Sequence, residues 1–105
     1  MAFERDRSGT ERVTAIMAAR AVTHRLASMD VDAIVTGSLA RGRFQPHSDI
    51  DLLVLECPKH LKYAIEGIVE DELSAIPFDV IYLDDVPEWK RASFLAGALH
   101  ASQLG

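Results

Sequence analysis

The stretch GSLARGRFQPHSDIDLLV, Gly37 to Val54, sets Asp49 and Asp51 one residue apart at the head of an apolar run, shortly after a glycine. A half-buried strand ordinarily carries hydroxyls or lysines on its wet face, because adjacent carboxylates repel and one of them tends to keep its proton. Two aspartates in such a place imply something that neutralises them. In a strand they share one face, about 6.7 Å apart along the backbone, while Ile50 and Leu52 point the other way. They are placed to hold one ligand together.

The flanking pattern says what this run folds with. Ser8 and Glu11 fit a capping box, and Val22, Leu26 and Met29 follow helical spacing, so a helix is expected near residues 9–29, after a flexible stretch 1–8. VDAIVTG, Val31 to Gly37, and DIDLLVLE, Asp49 to Glu56, read as strands. Pro58 suits a helix start, and Leu61, Ile65, Ile68, Val69 and Leu73 form an apolar stripe along 58–74. Pro77 ends that helix, and FDVIYL, Phe78 to Leu83, reads as a third strand. Asp85 with Glu88, around Pro87, signals a short helix to about Phe94, closed by Gly97, with ALHAS as an edge strand. This order gives an α/β (α+β) fold, a small mixed sheet with helices packed on it. With 105 residues, 49% of them hydrophobic and 26% charged, and no repeat or linker, the expectation is one domain spanning 1–105.

Composition excludes several classes. No apolar run approaches the roughly 18 residues of a membrane span, and MAFERDRSGTER is charged where a signal peptide is apolar, so a cytoplasmic protein without a membrane role is expected. Residues 1–43 carry seven Lys and Arg against five Asp and Glu, and residues 44–105 carry four against eleven. So acidic a chain is a poor grip for phosphate backbones, which disfavours nucleic acid as the main partner. Cys57, the single cysteine, reads as a buried thiol. His24, His47, His60 and His100 lack the spacing of a zinc site. Trp89 is expected to pack its ring on the core, with a partner anchor as the alternative.

A third carboxylate, Asp79, stands second in the third strand, where an alternating apolar strand gains nothing from a charge. If that strand lies beside the second, Asp49, Asp51 and Asp79 meet within a strand spacing of about 4.8 Å. Three such anions suit magnesium, a hard cation held by a few carboxylates together with substrate phosphates. Gly37 lets backbone approach a phosphate, and Ser38 offers a hydroxyl and neighbouring amides to it. Arg41 is a candidate for phosphate oxygens, and Arg43 for either that role or a solvated surface charge. Gly-Ser and Asp-x-Asp at one fixed separation arise by chance in roughly one chain in a thousand of this length.

Gly37-Ser38, ten intervening residues, Asp49-Ile50-Asp51 and then Asp79 resemble the nucleotidyltransferase superfamily of the DNA polymerase β type, in particular its minimal nucleotidyltransferase branch. The likeness runs from the first helix to GALHAS. It implies the polymerase β-type nucleotidyltransferase fold and transfer of a nucleoside monophosphate from an NTP to a hydroxyl, with pyrophosphate leaving. Asp49 and Asp51 would hold two magnesium ions, with Asp79 as ligand or base, while Gly37 and Ser38 bind the triphosphate and Arg41 assists. The resemblance further implies an antitoxin beside a HEPN-type ribonuclease toxin, moving AMP from ATP to a tyrosine of that partner. Little chain follows Asp79, so the acceptor is expected from a partner or from a small molecule. The alternatives are an antitoxin that acts by occlusion alone, and an enzyme that modifies a small hydroxylated compound such as an aminoglycoside.

Overall fold

The computed structural model describes residues 7–104. The chain runs α1 (Arg7–Ala27), β1 (Ala33–Thr36), α2 (Gly37–Ala40), β2 (Ile50–Val54), α3 (Lys62–Leu73), β3 (Phe78–Tyr82) and α4 (Glu88–Leu95), with 3-10 turns at Lys59–Leu61, Leu83–Asp85 and Ala101–Gln103. In the sheet β2 is central, antiparallel to β1 and parallel to β3. A parallel pair needs a long crossover, and α3 supplies it. The result is the small mixed α+β fold that the element order implies.

Alternation along β2 decides what each side of the sheet becomes. Ile50, Leu52 and Val54 face α1 and α3 and are fully buried. Against them α1 presents Ala15, Ala19, Val22 and Leu26, and α3 presents Ile65, Val69 and Leu73, spacings that keep each set on one helical face. This is the main core. On the other face Ile34 and Leu53 are buried in register, with Val86 also buried just before α4. Arg25 bonds Asp71 at 2.9 Å and Glu72 at 2.8 Å, joining α1 to α3 at the surface, where such pairs contribute little.

Several boundaries differ from expectation for local reasons. Helix α1 stops at Ala27, with Val31 N–H bonding Leu26 C=O (2.9 Å) and Asp30 N–H bonding Ala27 C=O (3.0 Å). This is a Schellman closure, and Asp30 takes the left-handed position, φ 61°, in place of a glycine. The stretch 1–8 lies outside the described residues except for Arg7 and Ser8, whose backbone is helical, so helix precedes the position expected of a Ser8 cap. Asp85 does not cap α4. It pairs with Lys62 across the fold at 2.5 Å, and Pro87 stands at the cap position. The expected edge strand reduces to one antiparallel bridge, Leu99 with Val35, because Arg20 draws the chain away by donating to the carbonyls of Ala101 (3.2 Å) and Leu104 (2.7 Å). Trp89 corrects its expectation outright, standing 79% exposed on a helix with no buried residue, with Lys90 Nζ 4.9 Å from its ring centroid. Cys57 is only partly buried, although that burial still pushes its thiol up. No described helix is long and apolar enough to cross a membrane.

Candidate active site

The strand register brings three polar residues into one row. Thr36 pairs with Asp51, and Asp51 with Asp79, so one residue from each strand stands side by side on the same face of the sheet. The next row inward is apolar: Ile34, Leu53 and Ile81. The polar row thus marks where the second face leaves its small apolar cluster and meets solvent. A shallow cleft of about 380 Å³ opens there, lined by Thr36, Gly37, Arg41, Asp51 and Ile81, with Ser93 and Phe94 of α4 as its opposite wall.

Gly37 sits immediately after β1 and starts α2. Its φ of +74° is a conformation that side-chain-bearing residues adopt only at a cost. Space makes the same demand: a Cβ here would overlap the Asp51 Oδ2 oxygen and lie 3.1 Å from Asp51 Cγ. The backbone at Gly37 and the Asp51 carboxylate are therefore in direct apposition. Glycine at this position serves the site, since the turn and the close approach both require it. Ser38 follows, partly buried, and its carbonyl accepts from Arg43 N–H at 2.8 Å, which with Gly42 at φ +72° closes the short helix. Amides in a first helical turn have no carbonyl one turn back to bond, so α2 turns polar hydrogens toward the cleft end of β1.

Asp51 carries the electrostatic strain. Its pKa is raised, first by burial and then by the charges of Asp79 and Asp49. Asp49 and Asp79 are exposed. Asp49 also lies one residue ahead of β2, so the strand pleat does not set its direction as it does for Asp51. The expected convergence is accordingly looser than a closed ligand cluster: no group of three or more His, Cys, Asp and Glu among the described residues is gathered tightly enough to enclose an ion. Of the expected site residues, Gly37, Arg41 and Asp51 line the cleft, while Ser38, Arg43, Asp49 and Asp79 are not part of its lining; both arginines are exposed.

The cleft also contains residues that the sequence reading passed over. Thr36 is the one buried polar residue among those described, 7% exposed. Its hydroxyl donates to Phe94 C=O at 3.2 Å and so ties α4 to the sheet beside Asp51. A threonine before the glycine was the available signal. Ser93 and Phe94 carried none, because only the return of the chain through the Leu99 bridge sets them against β1.

With this geometry in view, comparison with known families is decisive about class. The chain matches the family model of the nucleotidyltransferase domain over residues 16–99, which includes every strand and the whole cleft. It belongs to that family, and its class of chemistry is nucleotidyl transfer. No curated protein sequence matches it.

Members of such a family act on nucleoside triphosphates with magnesium, and the residues present fit that ion. All three acids offer hard oxygen donors, and the partly buried Asp51 carboxylate, crowded by two like charges, gains from a cation. Asp51, with Asp49 and Asp79 beside it, would hold the metal, and water and phosphate oxygens would complete its shell. When bound, magnesium supplies charge neutralisation at the phosphates and at the attacking and leaving oxygens.

Proposed function

We propose that the protein is an adenylyltransferase that moves AMP from ATP to a hydroxyl, a tyrosine of a partner protein, and that it serves as the antitoxin of a HEPN-type ribonuclease. The observation that carries the catalytic part is the apposition of Gly37 backbone and Asp51 carboxylate in a row with Asp79. It supports a reading in which phosphate binds next to its counter-ion. Gly37 and Ser38 bind the triphosphate through backbone and hydroxyl, Arg41 donates to its oxygens from the cleft wall, and Asp79 is the candidate to accept the proton of the acceptor hydroxyl. The reaction joins that hydroxyl oxygen to the α-phosphorus and releases pyrophosphate.

A protein acceptor suits the cleft because its mouth is shallow. The described residues build a wall on the α4 side and leave the rest open, and Trp89 and Leu95 on that helix expose apolar surface. A small acceptor such as an aminoglycoside needs more enclosure than this. An antitoxin acting by occlusion alone has no use for a strained Asp51 held against a glycine.

The test is to purify the protein together with the product of the adjacent gene and supply α-labelled ATP and magnesium. Label on a tyrosine of the partner, lost with Asp51→Asn, is the expected result. A partner that stays unlabelled but is still inhibited would overturn the catalytic reading in favour of occlusion.

A further inference from the structure

Among the described residues a second concavity exceeds the cleft in volume. It is a notch of about 590 Å³ between the second half of α1, the start of β1 and the C-terminal turn. Its origin lies in the edge of the sheet. Val35 and Leu99 exchange two 2.8 Å hydrogen bonds across the outer side of β1. Strand alternation points the N–H and C=O of Ala33 to that same side. The segment that would pair with Ala33 turns off at His100 into Ala101–Gln103, and Arg20 takes its Ala101 carbonyl. The edge is left open, and a notch forms where a strand would have continued.

The chemistry gathered there is unusual for this chain. Arg20 uses Nε and Nη2 on the two carbonyls and keeps Nη1 for another acceptor. His24, one turn further along α1, lies on the same side of the helix and lines the notch, as does His100 from across it. The sole acid of the lining is Asp32 at the opposite rim. In a protein of net charge −5, three of the four ionisable groups lining this notch are basic. Its floor is apolar, with Val31 and Ala33 almost fully buried. Its volume falls in the usual range for small-molecule sites, about 300–1,000 Å³.

We propose that the notch is a second ligand site, separate from the cleft, for a phosphomonoester with a hydroxylated carbon body about the size of a pentose phosphate. The phosphate bonds Arg20 Nη1 and the two imidazoles, the carbon body lies over Val31 and Ala33, and Asp32 accepts from a ligand hydroxyl. His24, His100 and Asp32 are not gathered into a group that could hold a metal ion among the described residues, and the charged rim does not suit a wholly apolar ligand. The notch shares no lining residue with the cleft, so the proposal stands apart from the nucleotidyl-transfer reading.

The test is calorimetric titration of the full chain with ribose 5-phosphate in EDTA, with unphosphorylated ribose as control. Saturable one-to-one binding is expected for the wild type and none for ribose. The double variant His24→Ala/His100→Ala, at two exposed positions, is expected to bind at least about tenfold more weakly, the effect of removing hydrogen bonds to a charged group. Ser102→Glu, which places an anion in the notch, is expected to do the same, while Asp51→Asn leaves affinity unchanged. No saturable binding, equal affinity in the histidine variant, or binding lost only in Asp51→Asn would each overturn the proposal. The last would place the phosphate in the cleft.

Discussion

Ile50, Leu52 and Val54 lie on one side of β2 and Asp51 on the other, so a single strand takes part in two regions built on opposite terms. The first side meets α1 and α3 and is sealed. Among the described residues the second meets Val86 and α4, a helix that buries none of its own residues, and it ends in the polar row Thr36, Asp51, Asp79. The difference shows how a domain this small keeps a charged site. Burial on one face supplies the stability that holds the strand register, and the register aligns carboxylates that repel one another. Strain at Asp51 is tolerable because the strand bearing it is fixed from behind.

That division can be broken from either side. Leu52→Ala, at a fully buried position, should cost about 2–5 kcal/mol in urea unfolding, from lost burial and a residual cavity. Asp51→Asn, one residue away, should leave the fold intact and reduce nucleotidyl transfer about a hundredfold or more, since even outer partners of a metal site cost 10–100-fold. If Asp51→Asn unfolded the protein and Leu52→Ala did not, the assignment of the faces would be reversed.

Gly37→Ala sharpens the comparison because it acts on the site through the backbone. The positive φ alone should cost about 1–2 kcal/mol, and the new Cβ must displace the Asp51 carboxylate. Thermal melting should fall modestly while transfer falls as far as in Asp51→Asn. Thr36→Val removes the hydroxyl bond to Phe94 C=O and should cost about 1 kcal/mol. Hydrogen exchange should then accelerate in α4 and not in α1 or α3. The smallest effect belongs to Trp89→Ala. Its ring stands in solvent, so stability should stay within about 0.5 kcal/mol of wild type, while capture of a protein acceptor by the proposed α4 surface weakens.

Legibility in the sequence followed the same division. The core face was readable because apolar periodicity reports burial directly: Ile65, Val69 and Leu73 stand where the stripe put them, and β3 begins at Phe78 as Pro77 suggested. Gly37, Asp51 and Asp79 stand out in the sequence because each breaks its local pattern, and the fold sets Asp51 against Gly37 and in register with Asp79. What stayed hidden depends on contacts distant in sequence. Thr36 matters through its register with Asp51 and its bond to α4, neither of which a local pattern encodes. Trp89 departs from its expectation because a short amphipathic segment does not reveal whether anything covers it. Asp85 resembled a cap until the fold brought Lys62 to it.

The central claim is that Asp51 is strained in order to hold a cation, and melting curves near neutral pH with EDTA or with millimolar magnesium test it most directly. Asp51 has a folded pKa above its ordinary value of 3.8. Its protonation therefore favours the folded state, a contribution complete below that ordinary value and lost as pH rises through the folded one. Above the folded value the ionised carboxylate opposes folding. In EDTA, Asp51→Asn should then melt above wild type, and the gap should close as pH falls toward 4. Magnesium, binding the folded site and not the unfolded chain, should raise the wild-type midpoint, more so with ATP, and leave Asp51→Asn where it was. Equal magnesium shifts in the two proteins would contradict the account.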